Sequence, residues 1–224
     1  MRIYIIRHGD PDYELDSLTP RGELEAVALA EYLSTMKVDY LFSSPLGRAI
    51  KTASFSESLL QLPVEILPWA AELSLKASDG SGWPAFDENP QSLRSDPETG
   101  ADSSWLDALC EVRFNSDKLF ERFGWFRDGY VYSFNGQSNN EKHAQIAVFC
   151  HGGFGLTWLA HLLGLSVRAV WSSFFLHPSS VTTVLMDERV DATATPRVIA
   201  LSDTAHLYKA GLEPSRMGIK ANYY

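Results

Sequence analysis

Two histidines, His8 and His151, each follow an apolar run and each precede glycine: Ile3-Tyr4-Ile5-Ile6-Arg7-His8-Gly9 and Ile146-Ala147-Val148-Phe149-Cys150-His151-Gly152-Gly153. A β-branched apolar run ending in polar residues reads as a buried strand delivering those residues to its tip. In open α/β sheets ligands collect at the carboxyl ends of the strands, where a glycine lets the backbone turn and approach a ligand closely. Two parallel strands of one sheet would bring His8 and His151 into one crevice. Gly152 and Gly153 would then place backbone N–H groups at a helix N-terminus, a favourable site for an anion. The plain alternative for each segment alone is a strand end with a surface arginine and a structurally bonded histidine.

The elements between these strands decide whether such a crevice can form. Thr19-Pro20-Arg21-Gly22-Glu23 is a helix start, with Thr at the cap and Pro in the first turn. The helix is predicted to bury Leu24, Val27, Ala28, Ala30 and Leu33. Asp39 to Phe42 reads as a second strand ending in Ser43-Ser44-Pro45, followed by a helix through Arg48, Ala49, Thr52 and Ala53. Val64 to Leu67 reads as a third strand, with Glu72 just beyond it. This β-α-β-α-β order implies an α/β three-layer sandwich, a mainly parallel central sheet flanked by helices.

Residues 74–97 lose all periodicity around Trp83 and Phe86, too long a stretch for an ordinary connection. Ala101 to Phe123 then has helical spacing through Trp105, Leu109, Val112, Leu119 and Phe123, and Gly129 to Gly136 alternates like an irregular strand. The reading is a single domain, 1–224, with an insertion at about 74–140 acting as a lid over the carboxyl ends of the strands. Trp83, Phe86, Trp125, Phe126, Tyr130 and Tyr132 would either pack that insertion or line a pocket beneath it. Later strands are predicted at Ser180 to Met186 and Val198 to Leu201.

Charge narrows the partners. Nineteen basic against 28 acidic residues give a net charge of −9, which opposes sequence-independent binding to nucleic acid or an anionic membrane. An anionic ligand would need a local arginine cluster. Cys110 and Cys150 are the only cysteines and are far apart, so neither a disulfide framework nor a structural zinc site is expected. No apolar run approaches the roughly 20 residues of a membrane span, and the expectation is a soluble, cytoplasmic protein.

Five ordered segments carry a resemblance: Arg7-His8-Gly9, Leu18-Thr19-Pro20-Arg21-Gly22, Ser43-Ser44-Pro45-Leu46-Gly47-Arg48-Ala49, the Glu72 region, and His151-Gly152-Gly153. Together they look like the histidine phosphatase (phosphoglycerate mutase-like) superfamily. The resemblance implies that His8 is a nucleophile forming a phosphohistidine. It implies that Arg7, Arg48, His151 and the Gly152 N–H hold phosphoryl oxygens, and that Glu72 donates a proton to the leaving group. It further implies a small phosphorylated substrate, with no metal and no cofactor. An unprotonated imidazole nitrogen can attack phosphorus if the other ring nitrogen is held as a donor, and a carbonyl near Gly9 is the expected acceptor. Asp10, Asp79 and Glu14 are weaker acid candidates, and Glu72 alone could also be a solvated loop carboxylate. Asp10-Pro11-Asp12 after the Arg-His-Gly run departs from the longer substrate motif of true mutases. Phosphomonoester hydrolysis is therefore the expected activity, with phosphoglycerate-mutase-type transfer and a catalytically silent phosphate-binding module as alternatives. His143, His161, His177 and His206 are expected to be structural or surface groups, and Cys150 a buried small residue.

Overall fold

The computed structural model describes residues 1–73, 103–136 and 138–219, with the side chains of 103–106 left aside. The elements in chain order are β1 (Arg2–Arg7), β2 (Pro11–Asp12), β3 (Ser17–Leu18), α1 (Pro20–Ser34), β4 (Tyr40–Ser43), α2 (Gly47–Leu60) and β5 (Val64–Ile66). A 3-10 turn at Pro68–Ala70 leads toward Glu72. Then come α3 (Ser103–Glu121), β6 (Trp125–Asp128), β7 (Val131–Phe134), α4 (Asn139–Lys142), β8 (Gln145–Cys150), α5 (Gly152–Leu163), α6 (Val167–Ser173), β9 (Val181–Val190), β10 (Thr193–Asp203) and α7 (Ala205–Lys209).

Among the described residues eight strands form one sheet in the order β5-β4-β8-β1-β9-β10-β7-β6. Strands β5, β4, β8 and β1 run parallel to one another, joined by helical crossovers as the β-α-β order requires. The other half is antiparallel, so the sheet is mixed rather than mainly parallel. The cause is local: β9 and β10 are joined by Asp191 and Ala192 alone, with Ala192 at φ 56°, and so short a connection joins only antiparallel strands. Their solvent-facing ends, Asp187 to Arg197, are polar, which hid the length of this hairpin in the sequence.

Side chains along β1 and β8 alternate between two cores, as strand geometry dictates. Ile3, Ile5, Ile146, Val148 and Cys150 face a core built with α3 and α5, including Val112, Phe120, Phe154 and Trp158. Tyr4, Ile6, Ala147 and Phe149 face the other, with Leu29, Leu33 and Ala53 from α1 and α2. Both faces of the sheet are covered, which explains why the two strands read as unbroken apolar runs.

Two further expectations need correction. In α1 the buried residues are Gly22, Glu25, Ala26, Ala28, Leu29, Ala30 and Leu33, while Leu24 and Val27 are 58% and 43% exposed. The helix is turned so that the Glu25 carboxylate can accept the Asp10 N–H at 2.8 Å and Nε of Arg21 at 3.1 Å. The second half of the expected insertion is not a lid: α3 packs Val112, Leu119 and Phe120 into the larger core, and β6 and β7 extend the sheet beyond β10. Trp125 and Tyr132 are correspondingly buried, whereas Phe126 and Tyr130 are exposed. The remainder of that expectation, residues 74–102 with Asp79, Trp83 and Phe86, lies outside the described residues. No helix among the described residues is long and apolar enough to cross a membrane.

Candidate active site

Strand register explains how distant residues meet. In β1 and β8, Arg7 is paired with Cys150, so the next residue of each strand, His8 and His151, leaves the sheet at the same edge. Strand β4 lies on the other side of β8 with Ser43 opposite Phe149, which brings Ser44 to that edge as well. The two imidazoles end 5.1 Å apart between ring centres, tilted by 59°. Both are almost fully buried.

The His8 ring is oriented from behind. Its Nδ1 lies 2.8 Å from the Gly9 carbonyl oxygen, an acceptor, so Nδ1 carries the proton and the lone pair is on Nε2. Nε2 accepts from Nε of Arg48 at 3.3 Å. Burial, reinforced by the neighbouring Arg7 and Arg48 charges, lowers the His8 pKa to about 3, against the opposing effect of the Gly9 bond. The ring is therefore neutral throughout the physiological range.

His151 has the opposite orientation. Its Nε2 lies 2.7 Å from Oγ of Ser44, which also accepts the Leu46 N–H at 3.2 Å. The Ser44 hydroxyl has an O–H to donate to Nε2, and in that arrangement the His151 proton sits on Nδ1. Nδ1 is buried and has no partner among the described residues, a donor free for an incoming oxygen. Burial and the neighbouring His8, Arg48 and Arg7 lower the pKa of this imidazole too.

Two arginines flank the pair. Arg7 is buried, with Nη1 donating to the Leu176 carbonyl at 2.5 Å and Nη2 near the Met217 carbonyl at 3.5 Å. Its guanidinium carbon is 5.6 Å from the centre of the Phe175 ring, and a side chain at Gly152 would start 3.5 Å from it, so Arg7 lies alongside Gly152. Burial lowers the Arg7 pKa, opposed by Tyr13 and the Glu72 carboxylate. Arg48, on the first turn of α2, bonds Asp16 and faces His8.

Glu72 reaches the start of α5. Its Oε1 accepts the Phe154 N–H at 2.9 Å and its own neighbour Leu73 N–H at 3.1 Å, and Oε2 accepts the Gly153 N–H at 3.3 Å. A carboxylate at a helix N-terminus satisfies orphan donors and complements the helix dipole. The Gly153 N–H, expected to be open to an anion, is thus taken by Glu72. A Cβ at Gly153 would fall 2.8 Å from Oε1 of Glu72 and 2.8 Å from the Trp171 ring, so any side chain there must displace both groups from their present positions.

The sequence-predicted Arg7, His8, Arg48, Glu72, His151 and Gly152 thus converge on one strand edge. Asp10 and Glu14 serve other ends: Asp10 bonds Thr19 and Ser215, and Glu14 is exposed on the β2–β3 turn. Sequence reasoning missed Asp16, the role of Ser44, Thr52, which accepts the Gly9 N–H at 3.1 Å, and the tail residue Met217. Only Ser44 carried a signal, the Ser-Ser-Pro at the strand end. Among the described residues no three His, Cys, Asp or Glu side chains are grouped to hold a metal ion. His206 is buried against Ser179 and Tyr32, and His161 bonds Asp117.

Paired imidazoles between two arginines at the carboxyl edge of an α/β sheet form a buried cationic site suited to a phosphoryl group. The chain matches the model of the histidine phosphatase superfamily (branch 1) over residues 3–195, and it belongs to that family. It is similar to the adenosylcobalamin/alpha-ribazole phosphatase of Escherichia coli, 26% identical over 180 residues, 76% of this chain and 83% of that protein. Among solved structures it resembles Entamoeba histolytica phosphoserine phosphatase in complex with 3-phosphoglyceric acid, at 20% identity and TM-score 0.64, covering 92% of this chain and 98% of the other. It also resembles a mycobacterial glucosyl-3-phosphoglycerate phosphatase, at 23% identity and TM-score 0.66, covering 91% and 99%.

Proposed function

We propose that the protein hydrolyses small phosphate monoesters without a metal requirement, through a phosphohistidine on His8. The observation that carries this reading is the Nδ1 to Gly9 carbonyl bond, which turns the Nε2 lone pair of a neutral imidazole toward Arg48 and His151. In the first step Nε2 attacks phosphorus and the P–O ester bond breaks, the ester oxygen leaving with the proton of Glu72, which enters this step as the carboxylic acid and leaves it as the carboxylate. In the second, Glu72 takes a proton from water, which attacks the phosphohistidine and releases inorganic phosphate and neutral Nε2. Little covalent work falls to the remaining groups, since phosphoryl transfer is governed by positioning and charge stabilisation. Arg7, Arg48, Nδ1 of His151 and the Gly152 N–H would supply both to the equatorial oxygens. Arg48 must exchange its bond to His8 for one to the substrate as the phosphoryl group arrives.

The relatives' small phosphorylated substrates support a metabolite-sized ester as the substrate class. The test is a phosphate-release screen over phosphorylated metabolites with no added metal and a chelator present, with His8→Ala as control. Release by the wild type and its loss in His8→Ala is the expected result. Isomerised product without free phosphate would instead identify a mutase, and ligand binding without turnover a silent module.

A further inference from the structure

Asp16 stands in the turn between β2 and β3 at φ 46°, a left-handed conformation that aspartate tolerates better than most residues. Its carboxylate reaches across to the start of α2. Oδ2 accepts the Gly47 N–H at 2.7 Å, and Oδ1 accepts Nη1 of Arg48 at 2.6 Å. The N-cap of α2 is Leu46, which makes no side-chain capping bond, so another element supplies the acceptor that this helix end lacks. A Cβ at Gly47 would collide with the Asp16 carbonyl oxygen, so turn and helix touch directly. Partial burial raises the Asp16 pKa, but the bonds from Gly47 and Arg48 outweigh it and hold the carboxyl below the usual carboxylate range.

The Arg48 side chain is only 11% exposed and is held on three sides. Nη1 is on Asp16, Nε is 3.3 Å from Nε2 of His8, and the guanidinium carbon is 5.4 Å from the centre of the Tyr13 ring on the same turn. A half-exposed ion pair contributes little to stability. Orientation is another matter: an arginine free to sample its rotamers must be ordered each time an anion binds, and a pre-set fork avoids that cost.

We propose that Asp16 is a positioning residue that anchors one edge of the Arg48 guanidinium so that its Nε faces Nε2 of His8, where phosphoryl oxygens arrive. The inference rests on His8 being the phosphoryl acceptor. Asp16 touches no substrate and acts through Arg48. Because Arg48 meets the phosphoryl group in substrate and product and holds it most strongly in the transition state, loss of Asp16 raises KM and the inhibition constant of inorganic phosphate together, and lowers kcat.

The experiment measures kcat, KM and phosphate inhibition for Asp16→Ala, Arg48→Ala, the double variant and His8→Ala, on any ester the wild type hydrolyses. Asp16→Ala is expected to lower kcat/KM by about tenfold to a hundredfold, the scale of a small misplacement of a positioned group. In the Arg48→Ala background the same change should alter kcat/KM by less than about twofold, since the two act as one unit. Leu46→Ser separates positioning from capping, because a serine N-cap restores the acceptor that α2 loses without restoring a hold on Arg48. The Asp16→Ala, Leu46→Ser protein should regain its melting temperature but not its kcat/KM. Full recovery of kcat/KM by Leu46→Ser, or additive effects of Asp16→Ala and Arg48→Ala, would overturn the proposal. If His8→Ala is inactive and Asp16→Ala retains wild-type kinetics, this inference fails alone. If His8→Ala retains activity, the phosphohistidine reading fails beneath it.

Discussion

Mild acid should destabilise this protein steeply, because three buried histidines are neutral in the fold. Burial is the leading cause in each case: it lowers His8 to about 3 and His206 to about 4, and lowers His151 as well. All three are under 4% exposed. In the unfolded chain each would titrate at about 6.5. Above that value neither state binds the protons and the groups have no effect on stability. As pH falls below it the unfolded chain takes up protons that the fold refuses, so stability is lost from about pH 6.5 downward until the folded values are reached. Each histidine contributes a slope of about 1.4 kcal/mol per pH unit, hence about 4 kcal/mol per unit for three, and roughly 6 kcal/mol lost by about pH 5. That is comparable to the whole stability of an ordinary domain, about 5–15 kcal/mol.

Two carboxylates modify the lower end of the window. Glu25 has a raised pKa, mainly through burial, so it is protonated in the fold first and offsets part of the loss as pH falls through that raised value. Asp16, with a lowered pKa, adds to the loss at still lower pH. The assay is urea unfolding followed by tryptophan fluorescence between about pH 8 and about pH 5, comparing wild type with His206→Gln, which lies outside the phosphoryl site. The variant should lose about a third of the pH slope. A stability that is flat from about pH 7 to about pH 5, or a slope that His206→Gln leaves unchanged, would refute the assignment of neutral buried imidazoles.

Glu72→Gln should lower kcat by about 10²–10⁴-fold for esters with poor leaving groups and much less for an aryl phosphate, which departs without a proton; equal losses on both would remove Glu72 from the acid role. Ser44→Ala should lower kcat/KM by roughly tenfold, because His151 loses the hydroxyl that sets its tautomer, with a melting temperature that shifts little; steady-state kinetics and a thermal melt measure the two effects. Gly153→Ala should abolish most activity while leaving the fold intact, since the new methyl displaces both the Glu72 carboxylate and the Trp171 ring; kcat beside a circular dichroism spectrum checks it.

Much of the site was legible because it sits where local signals are strong. His8 and His151 end continuous apolar strands, and Gly9 and Gly152 follow them, so both strand tips were visible without any long-range information. The parallel half of the sheet followed from the alternation of strands and helices. The antiparallel half did not, because β9 and β10 carry Asp187, Glu188, Arg189 and Arg197 near their shared turn, which interrupt the apolar pattern that marks a strand. The face of α1 was misread for a related reason: buried Glu25 outweighs Leu24 and Val27 because it bonds the Asp10 backbone, a tertiary contact that hydrophobic periodicity does not register. Asp16 and Ser44 act across chain crossings, on Arg48 and on His151, and no spacing in the sequence encodes those meetings. Residues 125–134 looked like part of a lid because their aromatic side chains are split between core and solvent in an edge hairpin.

The central claim is that His8 carries the phosphoryl group between substrate and water, and a rapid quench tests it most directly. The wild-type protein is mixed with an ester labelled on phosphorus, quenched in alkali within one turnover, and digested, and the labelled peptide is identified by mass spectrometry. The account predicts an acid-labile, alkali-stable phosphate on Nε2 of His8, formed as fast as the alcohol is released and absent from His8→Ala. Label on another residue, or hydrolysis with His8→Ala at the wild-type rate, would contradict it.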